Sequence, residues 1–166
     1  LLGLSFAWQN NHNPDWMTFA LIILLVILIH GIISHAYNDR EDWLSGTDQQ
    51  SPGILSGGSG VIKEGRFSLE ELLQAGRWAS LGVLVIGCYL WWRFGIIVII
   101  LLAVTVWSAM AYSCAPLRLA YHPLGGEWLC AFPALPAGVA GTYYLLTFDL
   151  QPAVLMAGAI HAWLAM

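Results

Sequence analysis

The chain has 166 residues, of which 58% are hydrophobic and 10% are charged, and its formal net charge is −4. Soluble domains average about 25% charged residues, so this composition excludes an ordinary soluble globular protein and indicates one that lies in a membrane. The negative charge argues against nucleic acid as a partner, because nucleic acid favours a basic surface.

Both ends of the chain resemble cut positions in a longer protein. The first residue is Leu1, and the run 1–8 is typical of the end of a helix. The last apolar run, 153–166, is too short to cross a bilayer. No signal-peptide pattern precedes the first apolar run. We therefore expect an internal fragment of a larger membrane protein.

Four apolar runs are long enough to cross the hydrocarbon core, which takes about 20 residues of helix. In chain order they are 16–36, 72–92, 94–112 and 128–148, and Pro152 begins a fifth run. Turns are predicted before the first run, at Asn13-Pro14-Asp15, and between the second and third, at Arg93 and Gly95; Pro133 and Pro136 predict kinks in the fourth. The sequence thus predicts an all-α polytopic transmembrane bundle, with residues 1–166 in a single domain.

Two polar connections, 37–71 and 113–127, are separated by two spans and are therefore predicted to lie on one side of the membrane. Their cations are Arg40, Lys63, Arg66 and Arg118, whereas the opposite side carries Arg93. Because an excess of Lys and Arg marks the cytoplasmic side, both connections are predicted to face the cytoplasm of a multi-pass cell-membrane protein. Trp8, Trp16, Trp91 and Trp92 lie near the opposite boundary, as in an aromatic belt.

An acidic motif follows the first apolar run. Asn38 and Asp42 are four residues apart, and Asp39 and Asp42 are three apart, so a helix would place them on one face. Asp48 lies beyond Gly46, where the chain can turn back. Carboxylate and amide oxygens suit Mg²⁺, so the four acidic and amide residues are predicted metal ligands. The alternative is a solvated helix end, which the helix dipole disfavours for negative charge.

A glycine-rich stretch, 51–60, precedes Lys63 and Arg66. Glycines allow backbone N–H groups to approach an anion closely, and the two cations would neutralise a diphosphate. The alternative is a flexible linker. Ser68, followed by Glu70 and Glu71, predicts a helix N-cap.

In the second connection, Tyr112, Arg118 and Tyr121 are candidates for an anionic or aromatic substrate, and the alternative is an interfacial loop with snorkelling side chains. Other reactive residue types are interpreted as packing residues rather than ligands. These are His30, His35 and His161, together with Cys88 and Cys130 in their apolar segments.

The pattern NDxxDxxxGxD, which Asn38, Asp39, Asp42, Gly46 and Asp48 match in full, resembles the first aspartate-rich motif of the UbiA superfamily of intramembrane aromatic prenyltransferases. This variant, with Ser-Gly-Gly at 56–58 and Glu-Gly at 64–65, looks like the branch that prenylates dihydroxynaphthoate for menaquinone. The Tyr-Ser-x-x-Pro-Leu-Arg-Leu-x-Tyr stretch at 112–121 and the Gly-Glu at 126–127 also resemble the family.

The resemblance implies a fragment of a nine-helix fold that uses Mg²⁺, polyprenyl diphosphate and a small aromatic acceptor. It implies catalytic Asp39 and Asp42, with Asn38 and Asp48 supporting the metal. The implied diphosphate-binding residues are Lys63, Arg66 and Arg118, and the implied substrate-binding residues are Ser56, Gly57, Tyr112 and Tyr121. The family's second aspartate-rich motif is expected beyond residue 166. Gly60 stands where relatives often have a basic residue.

Three alternatives stay open at this point. Another UbiA branch would use hydroxybenzoate, homogentisate, a porphyrin or a glycerol phosphate as acceptor. A cation transporter would favour acids near the bilayer midplane, whereas these acids follow the span. A purely structural membrane subunit would not need the NDxxDxxxGxD spacing.

Overall fold

The computed structural model describes residues 1–10, 12–50 and 59–165, with only the backbone described at Glu127. Within those ranges the regular structure is entirely helical, which confirms the predicted all-α class. The helices are α1 (Leu2–Gln9), α2 (Trp16–Ser45), α3 (Thr47–Gln50), α4 (Leu69–Phe94), α5 (Ile96–Ser113), α6 (Phe132–Thr147) and α7 (Pro152–Ala165).

The predicted spans are confirmed. Among the described residues, four helices are long and apolar enough to cross a membrane: Trp16–Ser45, Leu69–Phe94, Ile96–Ser113 and Trp128–Thr147. The last of these joins the end of a π-helical segment, Gly125–Ala131, to α6. The fifth apolar helix, α7, begins at Pro152 as predicted and has 14 residues.

The structure corrects the predicted end of the first span. The connection predicted to begin at residue 37 begins only after Ser45, because α2 continues through the acidic motif. No Gly or Pro follows Gly31 until Gly46, which adopts a left-handed conformation with φ 85° and ends the helix. Charged side chains alone do not stop a helix that has already formed, because elongation adds one hydrogen bond per residue. The motif is therefore helical, as the one-face spacing of Asn38, Asp39 and Asp42 predicted, although it lies in the segment predicted as a polar connection.

Capping side chains fix the starts of two spans. Asp15 caps α2 by accepting from the Met17 N–H at 3.2 Å and the Thr18 hydroxyl at 2.7 Å. The Thr18 hydrogen bond is the main cause that holds the pKa of Asp15 below its usual value. At α4, Ser68 and Glu71 form a reciprocal capping box, which confirms the predicted N-cap.

The end of the bundle opposite the acidic motif is held by one ion pair. Arg93, in the last turn of α4, contacts Asp15 at 2.8 Å, with both side chains 39% exposed. Such an exposed pair contributes little stability, but it shows which helix ends are neighbours. Trp8 and Trp16 meet edge to face at this end, with ring centroids 6.2 Å apart.

Close backbone contact joins α6 and α7. A Cβ placed on Gly158 would lie 2.7 Å from Cα of Pro136, and a backbone atom cannot move aside cheaply. Gly138, also in α6, has nothing within 4 Å of the corresponding position. Replacing Gly158 or Gly138 by alanine therefore distinguishes a steric clash from the conformational cost of glycine in a helix.

We expect Gly158→Ala to destabilise the full-length protein by about 1–3 kcal/mol, because the added methyl group overpacks the α6–α7 contact. Gly138→Ala is the matched control and should be neutral or slightly stabilising, since alanine favours a helix over glycine. Reversible unfolding in mixed micelles measures both. Equal stability of the two variants would contradict this packing.

Candidate functional site

The last turns of α2 bring the acidic motif onto the inner face of the bundle. The Asn38 amide donates to Oδ2 of Asp42 at 3.0 Å, one helical turn away. The same amide donates to the Ser113 hydroxyl at 2.9 Å, which ties the ends of α2 and α5 together. Asp39 is 6% exposed and accepts from the Ser59 hydroxyl at 2.6 Å. Asn38 thus orients a carboxylate through its nitrogen; its role as a metal ligand stays a prediction.

The connection after α5 folds back onto the motif. The Tyr121 hydroxyl donates a short hydrogen bond to Oδ1 of Asp42 and lies 3.2 Å from the Ser45 hydroxyl. Arg118 contacts Oε2 of Glu41 at 2.8 Å. The structure therefore brings residues from both predicted polar connections, which lie more than 70 positions apart in the chain, into direct contact.

Glu41 organises this contact, although no role was predicted for it. Its side chain is 12% exposed and pairs with Arg40 at 2.7 Å as well as with Arg118. A half-exposed surface glutamate would contribute little, but here one carboxylate holds two guanidinium groups. Glu41 lies at an unspecified position of the NDxxD pattern, so no local spacing distinguishes it.

The charges of the acidic motif affect the pKa of Asp48. Its pKa is raised first by partial burial and then by the negative charges of Asp42 and Asp39, while the Lys63 charge acts in the opposite direction. The predicted acidic ligands therefore share one region of negative potential. Lys63, a predicted diphosphate-binding residue, lies close enough for its positive charge to lower the pKa of Asp48.

The other predicted substrate residues are distributed more widely. Arg66 pairs with Glu64 at 2.7 Å in an exposed turn, because the two residues lie on the same side of the local turn. Tyr112 packs on Gly126, where an added Cβ would lie 2.6 Å from its ring. Ser56 and Gly57 lie outside the described residues. Their predicted roles, and that of Arg66, stay predictions.

Two cavities are lined by residues of α2 that precede the motif, and both include His30 in their lining. The first, of about 260 Å³, is bordered by Ser34 and by Ser108 and Tyr112 of α5. The second, of about 90 Å³, is lined mainly by aliphatic side chains such as Leu25, Leu90, Val98, Leu102 and Leu145. His30, Ser34 and Asn38 recur every four residues, so a polar stripe along α2 was the available sequence signal.

The residues fit a magnesium–phosphate site better than a site made of protein ligands alone. In the described part of the chain, no three His, Cys, Asp or Glu side chains are placed to hold one metal ion. Magnesium, however, is commonly bound by one or two carboxylates together with substrate phosphates and water. Asp39 and Asp42 supply two such carboxylates, and each keeps lone pairs beyond its hydrogen bonds.

Comparisons with protein-family models, curated proteins and solved structures found no match to this chain. The likeness to the prenyltransferase family thus rests on the motif residues alone.

We expect Glu41→Gln to loosen the connection after α5, because both arginines lose their ionic partner. Allowing for the exposure of Arg118, the local cost should be about 1 kcal/mol. Backbone amides at 117–121 should then exchange hydrogen several-fold faster, as measured by mass spectrometry. Glu70→Gln, on the exposed start of α4, is the control. Unchanged exchange at 117–121 would contradict the proposed anchoring.

We expect Asp48→Asn to stabilise the metal-free protein at pH 7 but not near pH 3. An acid with a raised pKa in the folded state binds its proton more tightly there, so its ionisation costs stability above the unfolded pKa of about 3.9 and nothing below it. Tm measured with chelator at the two pH values tests this. A variant less stable than the wild type at pH 7 would show the sign to be wrong.

Proposed function

We propose that this chain belongs to a Mg²⁺-dependent membrane prenyltransferase. It would transfer a polyprenyl group from polyprenyl diphosphate to a small aromatic acceptor, with dihydroxynaphthoate of menaquinone biosynthesis favoured by the motif variant. The observation that supports the proposal is that Asp39 and Asp42 lie within two to three turns of Ser34 on the same helix, and Ser34 lines a cavity between membrane-length helices. Carboxylates that bind a metal ion, next to an apolar interior, suit a substrate whose anionic head binds the metal and whose hydrocarbon tail enters the bundle.

The polar end of the site has groups of both signs, as a metal–diphosphate ligand requires. Asp39 and Asp42 would hold the cation, and Ser59 and Tyr121 would keep their carboxylates oriented. Arg118 lies beside them and, among the described residues, its buried Nε–H has no hydrogen-bond partner. That donor would be available to a phosphate oxygen without breaking the pair with Glu41.

The apolar end suits the tail and the reaction. When bound, Mg²⁺ would neutralise the diphosphate and so stabilise it as a leaving group. In the proposed reaction, the allylic C–O bond breaks and its electron pair leaves with the diphosphate. An electron-rich ring carbon then bonds to the allylic carbon. Loss of a proton from the attacked carbon restores the aromatic ring; if that carbon bears the carboxylate of dihydroxynaphthoate, CO₂ leaves instead and the electron pair of the broken C–C bond restores the ring. Aliphatic walls at Leu90, Val98 and Leu145, which lie towards the other end of the bundle, would hold part of the hydrocarbon tail.

Cell-membrane location and cytoplasmic loops are part of the proposal. The excess of Lys and Arg in the two connections supports that orientation. It would also face the motif towards the compartment in which a water-soluble synthase delivers the donor. A different aromatic acceptor would leave the donor end unchanged. A cation transporter is less well supported, because the carboxylates lie at the end of α2 rather than at its middle.

We expect Asp39→Asn and Asp42→Asn each to reduce Mg²⁺-dependent prenyl transfer by more than tenfold in the full-length protein, equivalent to a barrier increase above about 1.4 kcal/mol. The substitutions keep size and hydrogen-bonding capacity but remove the charge that binds the cation. Transfer of radiolabel from polyprenyl diphosphate to dihydroxynaphthoate is the measurement.

Asp149→Asn is the matched control, because that carboxylate follows α6 and bonds locally to Gln151 and the Leu150 N–H. It should transfer at the wild-type rate. If either motif variant retains more than a tenth of that rate, its role in binding the metal is wrong.

A further inference from the structure

The hydroxyl of Ser108 is the unusual polar group inside the bundle. Ser108 is 4% exposed, and its Oγ has no hydrogen-bond partner among the described residues. It lies on α5, within a span, where no lipid group can satisfy it. A buried hydroxyl without a partner costs about 1–3 kcal/mol, so its persistence asks for a ligand or a water molecule.

Other hydroxyl groups on the spanning helices donate hydrogen bonds to backbone carbonyls of their own helix. Ser80, Thr142 and Thr147 each donate to the carbonyl four residues earlier, at 2.8–2.9 Å, and Thr105 bonds to carbonyls of the preceding turn. Back-bonding to the helix is the ordinary solution for a hydroxyl in an apolar span. Ser108 departs from it and borders the 260 Å³ cavity instead.

The cavity has the size and the lining for a small aromatic ring. Its volume is several times the roughly 30 Å³ occupied by a water molecule. Tyr112 contributes an aromatic ring to one wall, and Ala109, Ala131 and Ala134 contribute small apolar walls. His30, Ser34 and Ser108 contribute polar groups to its border from two helices, beside the phenol of Tyr112 and the thiol of Cys130. An apolar pocket with few polar groups is the usual form of a small-molecule site.

The cavity also lies at a suitable distance from the acidic motif. Ser34 is one helical turn before Asn38, and Ser108 is five residues before Ser113, or about 7.5 Å along a helix. The Asn38–Ser113 hydrogen bond joins the two helices at the top of the cavity. A ring held there would sit within reach of a group bound at Asp39 and Asp42.

We propose that this cavity binds the hydroxyl-bearing ring of the aromatic acceptor, and that Ser108 is a specificity-determining residue that hydrogen-bonds a ring oxygen. The inference rests on the proposed function for the class of ligand. It goes further by assigning a residue and a pocket that the motif resemblance does not include. Ser108 recognises the acceptor and takes no part in binding the donor.

The test is equilibrium binding to the purified full-length protein in nanodiscs, without donor and under anaerobic conditions. The two probes are 1,4-dihydroxy-2-naphthoate and 2-naphthoate, which lacks both ring hydroxyl groups. Ser108→Ala should weaken binding of the dihydroxy compound about tenfold, which corresponds to about 1.4 kcal/mol, and leave binding of 2-naphthoate unchanged. Ser108→Thr, which keeps a hydroxyl group, should retain most of the affinity.

Ser80→Ala is the control, because Ser80 borders a different groove between α4 and α5 and its hydroxyl is already bonded to the Gly76 carbonyl. Equal affinity of the wild type and Ser108→Ala for the dihydroxy probe would overturn the inference and leave a water as the partner of Ser108. So would an equal loss for both probes, or no binding to the wild type. Prenyl transfer measured on the same samples separates the two proposals: binding that depends on Ser108 without transfer would contradict the proposed function and keep the pocket.

Discussion

The structure depends on one continuous helix, α2, which carries both an apolar span and the acidic motif. Backbone groups in lipid must be hydrogen-bonded within the chain, so the helix cannot end inside the hydrocarbon core, and it continues until Gly46 allows a left-handed turn. The register of the motif is thereby fixed to that of the span. Asp39 follows Ile29, Ile33 and Ala36 in the series of buried residues along this helix.

Electrostatics explains why the connection after α5 folds onto this helix end. Carboxylates at a helix C-terminus conflict with the helix dipole and with one another. Arg118 relieves part of the conflict through Glu41, and Tyr121 does so through Asp42. The remaining excess of negative charge at Asp42 and Asp39 raises the pKa of Asp48, after the larger effect of its partial burial. A cation that arrives with an anionic ligand would remove that excess, which is the physical link between the fold and the proposed chemistry.

The two ends of the bundle therefore differ in the charged and aromatic groups that they carry. The end near Asp15 and Arg93 is closed by an ion pair and flanked by tryptophans, features that position helices in a bilayer. The other end gathers carboxylates, a guanidinium group and a tyrosine above the cavities. Ser108 lies between the two ends and is buried among apolar residues. Its hydroxyl lacks the hydrogen bond to a backbone carbonyl that other hydroxyl groups on the spans make. A substrate pair with polar heads and an apolar tail suits this gradient.

The features that depend on local chemistry could be predicted from the sequence. Apolar length predicts the spans, and Asp15 and Ser68 predict helix starts, because a side-chain acceptor can satisfy free N–H groups within its own turn. The end of α2 was predicted too early, since polarity marks the membrane boundary whereas Gly46 marks the end of the helix. The pairing of Glu41 with Arg118 and the cavity beside Ser108 could not be predicted in this way. Those contacts join residues distant in the chain, and they follow from how the helices pack, which no local pattern encodes.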